Sequence, residues 1–104
     1  MTLAEVRDLA MSLRGSTESP HHRYTSFRVR GRIYATAPKE GGFLHVFVEE
    51  QDRERMVRLQ PDTYGKLGWG RKVVGLRVDL EHARHEDVAA LLRAAWQRKL
   101  PARP

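Results

Sequence analysis

From Val73 to Leu80 apolar residues return at every second position: Val74, Leu76, Val78 and Leu80 on one side, Val73, Gly75, Arg77 and Asp79 on the other. Alternation of period two marks a strand with one face in a core and the other in water. Such a strand needs a second layer over its apolar side. The two ends of the chain supply it. Thr2, followed three residues later by Glu5, fits a capping box, in which each side chain satisfies a backbone N–H of the other. Leu3, Val6, Leu9, Ala10 and Leu13 then recur at helical spacing until Gly15, which predicts a helix over Leu3–Leu13. Near the other end Val88, Leu91, Leu92, Ala95 and Trp96 form one apolar stripe. Glu86 and Asp87 complement the start of that helix, Arg98 and Lys99 its end, and Pro101 stops it.

Between the helices the pattern is that of a meander. Gly15 to Thr25 reads as a loop. Phe27 and Val29 alternate with Arg28 and Arg30, Gly31 interrupts, and Ile33, Ala35 and Ala37 alternate with Arg32, Tyr34 and Thr36, which predicts a hairpin. Pro38 to Gly42 is a second turn, Phe43–Val48 a third strand, and the charge-dense Glu49–Leu59 a short, exposed helix. Thr63–Lys72, punctuated by Gly65, Gly68 and Gly70, reads as a loop. The expected fold is α+β: a two-layer sandwich of about five antiparallel strands, with the terminal helices packed on one face. At 104 residues the chain forms one domain (1–104) and buries roughly two-thirds of its unfolded surface, enough to fold without a metal or disulfide.

Several functional classes are disfavoured at this level. The absence of cysteine excludes disulfide frameworks, thiolate zinc sites and thiol catalysis. Apolar runs are too short for a transmembrane helix, and Met1–Glu5 lacks the basic and apolar regions of a signal peptide, so a cytoplasmic protein is expected. Neighbouring His21 and His22 point to opposite sides of an extended segment, while His82 and His85 have no third ligand close in sequence. No serine stands in a nucleophile elbow, and Gly65-x-x-Gly68-x-Gly70 is not followed by a helix, so it fails as a phosphate-binding turn. No catalytic set, metal site or cofactor is expected. Trp69 rides on the glycine-rich loop, and the usual burial of an indole favours its capping the edge of the core over its standing free.

Charge carries the remaining signal. The chain is +6 overall, and nine of its 19 Lys and Arg residues lie in two segments without acids. Arg23, Arg28, Arg30, Arg32 and Lys39 fall between Glu18 and Glu40, and Lys66, Arg71, Lys72 and Arg77 between Asp62 and Asp79. If Phe27, Val29, Ile33, Ala35, Val74, Leu76 and Val78 pack under the helices, the other face presents Arg28, Arg30, Arg32, Tyr34, Thr36, His45 and Arg77, joined by Phe43 and Phe47 in one register. Guanidiniums mixed with aromatics suit phosphates and stacked bases together. An ordinary solvated face, with arginine stems covering apolar surface, and an interaction face for a second copy, another protein or a small ligand are the competing readings.

Met1-Thr2-Leu3-x-x-Val6-Arg7-x-Leu9-Ala10-x-x-Leu13, Thr17-Glu18, His21-His22 and Phe27-x-Val29-x-Gly31-x-Ile33-Tyr34-Ala35 follow in order. Then come Lys66-x-x-Trp69, Val74-x-Leu76-x-Val78-Asp79 and Leu91-Leu92-x-x-Ala95-Trp96-x-x-Lys99. In order and spacing this series resembles the MmcQ/YjbR family almost end to end. The resemblance implies a CyaY-like fold and a non-enzymatic DNA-binding role through a double wing. The wings would be the Pro38–Gly42 turn and the Gly65–Lys72 loop, with Lys66 and Trp69 at the family's Lys-x-x-Trp positions. The first wing is short here. The expected contacts are Arg28, Arg30, Arg32, Lys66, Trp69, Arg71, Lys72 and Arg77. Iron binding, as in frataxin-like relatives of the fold, is disfavoured, because the first helix offers only Glu5 and Asp8 diluted by Arg7 and Arg14, and the strands after it are basic.

Overall fold

A computed structural model describes residues 1–101. The elements run α1 (Leu3–Met11), β1 (Ser16–His21), β2 (Tyr24–Val29), β3 (Arg32–Pro38), β4 (Phe43–Val46), α2 (Glu50–Leu59), β5 (Tyr64–Trp69), β6 (Lys72–Asp79) and α3 (His85–Lys99). The strands form one antiparallel sheet in the order β1-β2-β3-β4-β6-β5. One face is covered, with α1 and α3 packed together, α3 on β3 and α2 on β5, so the expected α+β sandwich is present with six strands. No helix among the described residues is long and apolar enough to cross a membrane.

The helix signals act as read. Thr2 and Glu5 close the capping box, and Trp96 donates its indole N–H to the Arg14 carbonyl at 2.8 Å, joining α3 to the end of α1. Two segments read as loops are strands. β1 is wholly polar and carries Pro20, which an edge position tolerates because one side of the strand makes no ladder bonds. It is held by β2 and by Glu18, which accepts from Arg7 of α1 at 2.6 Å and from the Thr25 hydroxyl at 2.6 Å. These hydrogen bonds, led by that of Arg7, keep the Glu18 carboxyl below the usual carboxylate range. β5 takes the place of the expected Thr63–Lys72 loop, pairing with β6 despite its glycines.

The core contains Phe27, Val29, Ala35, Leu44, Val46, Leu76 and Val78 from the sheet, closed by Val6, Met56, Val88 and Leu92 from the helices. Three of the expected side assignments, those of Arg32, Ile33 and Tyr34, are reversed by a β-bulge. Phe27 pairs with Ala35 but Arg28 pairs with Ile33, so Tyr34 is the unpaired extra residue. Tyr34 therefore enters the core beside Ala35 instead of the open face. There it is fully buried, donating to the Ala10 carbonyl at 3.3 Å and accepting from Ser16 Oγ at 2.8 Å. Ile33 takes the open side opposite Arg28, half-buried.

Candidate nucleic-acid interface

Antiparallel register puts Ser19, Ser26, Thr36, His45, Arg77 and Gly65 in one row across the helix-free face. Ser26 and Thr36 are buried even here, beneath longer neighbours. Arg28 donates from Nε to Ser26 Oγ at 3.1 Å, and Arg77 lies over the Phe43 ring at 3.8 Å. A guanidinium stacked on an aromatic face keeps its in-plane N–H groups free for an anion. Two of the expected contacts, Arg28 and Arg77, therefore belong to the open face.

The other expected contacts lie at the rim. Arg30 and Gly31 form the two-residue turn between β2 and β3, with φ of 54° and 77°. Two successive positive φ values match the twist of a tight hairpin, and the arginine is thrust outward. Arg32 pairs with Val29 and so lies on the helix side, where its charge helps lower the Lys99 ammonium pKa behind the larger effect of burial. Gly70 and Arg71 form the matching turn between β5 and β6, with Gly70 at φ 61° and Trp69 opposite Lys72. Lys66 also lies on the helix side, paired with Glu54 at 2.7 Å. Both side chains are about half exposed, so the pair is weak.

Because β2 and β5 run in one direction and β3 and β6 return, the Arg30–Gly31 and Gly70–Arg71 turns sit at the same end of the sheet. Three strand spacings separate them, roughly 14 Å. Arg98, which donates to the Phe47 carbonyl at 3.0 Å, and Lys99 stand at that end as well. Reading them only as helix-end cations missed this, because the docking of α3 on β3 has no local signal. The Pro38–Gly42 turn is at the opposite end, so the two segments expected as wings do not project side by side. Trp69 is 80% exposed and caps no core.

Other polar groups lie outside the cationic track. The Tyr64 hydroxyl has no partner in the core, and burial, aided by Asp87, pushes its pKa up to about 12, so it stays protonated. Asp79, Glu81 and His82 bring ligand atoms within 4.8 Å of one another, a grouping that the pairing of His82 with His85 overlooked. Their contacts are explained by the turn itself: Asp79 accepts from the Glu81 N–H at 3.0 Å and from His82 Nδ1 at 2.9 Å. A hollow of about 340 Å³ beside β1 includes Arg7, already held by Glu18, and Lys39. Another of about 320 Å³ mixes Arg77 with Asp62 and Asp79.

His45 supplies a pH readout of the open face. Burial, and then the charge of Arg77, hold its pKa below the ordinary histidine value. The unfolded chain therefore binds this proton more readily than the folded one. The stabilising contribution is full above the unfolded value of about 6.5 and is lost as pH falls below it toward the folded value. Comparing melting temperatures at pH 7.5 and 5.5, His45→Gln should lose less on acidification than the wild type. An equal or larger loss would mean that the imidazole is not protected from protonation.

The comparisons with known proteins agree with this fold. A crystal structure of Deinococcus radiodurans protein DR2400, described by its DUF419 domain, superposes with a TM-score of 0.78 at 21% identity, covering 90% of this chain and 75% of that one. No curated protein matches. The family model YjbR matches residues 11–98, from the end of α1 to the last turn of α3. Since that span takes in the whole sheet and both of its cationic turns, the chain belongs to the YjbR family.

Proposed function

We propose that the protein is a non-enzymatic DNA-binding protein whose phosphate contacts come mainly from one end of the sheet, with Arg28 and Arg77 continuing the track along the open face. One observation carries the reading. Arg30, Arg32, Arg71 and Lys72 converge on that end from two separate hairpins, and among the described residues none of them forms an ion pair. Cations left without acids at one place raise the local potential and favour a polyanion. Family membership is compatible with this reading and does not by itself assign a ligand.

Counterion release provides the test. Binding to an arbitrary duplex should weaken as salt rises, with a log–log slope of about −0.9 for each phosphate neutralised. The four turn cations alone then predict a slope of about −3.6, which Arg28 and Arg77 steepen, and the Arg71→Ala/Lys72→Ala double variant should make it shallower by about 1.8. Removing Arg55 and Arg58, on the exposed helix α2, should leave it unchanged. Salt-independent duplex binding, or no binding to any DNA near physiological ionic strength, would sink the proposal.

A further inference from the structure

We infer that the preferred nucleic acid is single-stranded, with Trp69 as the platform on which a base stacks. The inference rests on the DNA-binding reading above and narrows it. Trp69 is the most exposed large apolar side chain of the described residues. It sits at a two-residue turn whose register is fixed by pairing with Lys72, two positions before Arg71. Trp96, by contrast, is half-buried and hydrogen-bonded through its indole N–H.

The position of Trp69 on β5 matters as much as its exposure. The residue left over at the bulge of this hairpin, Val74, is on β6, so alternation along β5 is intact. Lys66 pairs with Leu76 on the helix side, and Leu67 and Trp69 therefore lie on the open side. Leu67 is opposite Gly75, and the ring of Phe47 comes within 3.0 Å of where a Gly75 Cβ would stand. Trp69, Leu67 and Phe47 thus continue one apolar strip from the cationic turn toward the Phe43–Arg77 stack.

Such a strip has little use for a duplex. In double-stranded DNA the faces of the bases are consumed by the base stack, and only edges and phosphates are offered to a protein. Six strands span roughly 24 Å. The major groove is about 12 Å wide, so this face cannot enter it and only a hairpin tip can. Unstacked bases, however, can lie across a sheet on aromatic side chains while arginines track the backbone.

The experiment compares a labelled oligo-dT with a duplex of equal length by fluorescence anisotropy, using the whole chain and two variants. Oligo-dT should bind more tightly than the duplex. Trp69→Ala should weaken oligo-dT binding by on the order of 10- to 100-fold, and duplex binding by less than about threefold. Trp69→Phe, which keeps an aromatic face, should recover most of the loss. Because Trp69 lies outside the core, both variants are expected to fold, and melting temperatures check this. A duplex bound as tightly as oligo-dT, or an equal loss on both ligands in Trp69→Ala, overturns the inference and leaves the DNA-binding reading standing. Binding of neither ligand overturns both, as does capture by phosphatidylserine vesicles without binding of either strand form.

Discussion

Tyr34→Ala should lower the unfolding free energy by about 3–5 kcal/mol, the range found when a large buried aromatic is cut to alanine. Few positions in this chain should cost more, because three losses coincide. The ring is fully buried among helix and sheet residues, and its removal leaves a cavity that the bulged strand cannot readily close. The Ala10 carbonyl loses the hydroxyl that donates to it. Ser16 loses its acceptor, and with it a tie between β3 and the edge strand β1. Tyr34→Phe separates these contributions, since it keeps the ring and should cost only about 1 kcal/mol. Urea melts of both variants provide the check. A Tyr34→Ala loss below about 1 kcal/mol would mean that the bulge does not hold this ring in the core.

Gly75→Ala should have the next largest effect, about 2 kcal/mol, although it adds a single carbon. A Cβ at this position would stand 2.7 Å from the Val46 carbonyl oxygen and 3.0 Å from a ring carbon of Phe47. The Phe47 ring can turn aside. The Val46 carbonyl is backbone of a central strand and can move only with β4, so strain or a loosened ladder is unavoidable. At about 4–8 °C per kcal/mol for a domain of this size, the melting temperature should fall by roughly 10 °C. Gly65→Ala is the matched control: it lies on the same face, at the sheet edge, with open space around its missing Cβ. It should shift stability by less than about 0.5 kcal/mol. Similar melts for the two variants would contradict the close approach of β4 and β6.

These two residues also show how much of the fold was legible beforehand. Gly75 was placed on its proper face because the alternation of β6 is unbroken from Gly75 to Asp79. Tyr34 was placed on the wrong face because counting by twos across Arg32–Ala37 assumes that every residue has a partner. A bulge depends on the neighbouring strand and leaves no trace in the alternation itself. The terminal helices were legible because capping residues and apolar stripes are local. β1 was not, since Ser-Thr-Glu-Ser-Pro-His has neither periodicity nor β-propensity and becomes a strand only by pairing with β2. For the candidate site, sequence located the cations in two segments but not in space. Their meeting at one end depends on β6 being inserted between β4 and β5, and Trp69 was misjudged because burial preference is an average that a hairpin tip need not follow.

The place of β6 has a further consequence, for the order in which the chain can assemble. β1 to β4 are joined in succession by short turns, and β5–β6 is another hairpin, so most of the sheet forms from contacts near in sequence. The β4–β6 ladder is different, because it must close across α2 and the whole of β5. The loop entropy of that closure falls on one step, which makes the docking of a finished hairpin onto a finished meander the natural rate-limiting event. Until it occurs β4 is an open edge carrying Phe43, Leu44 and Val46, the kind of edge that recruits a second chain. A chain halted during synthesis before Lys72 would be left in that state, so the second half of this small domain acts as the lid on an aggregation-prone first half.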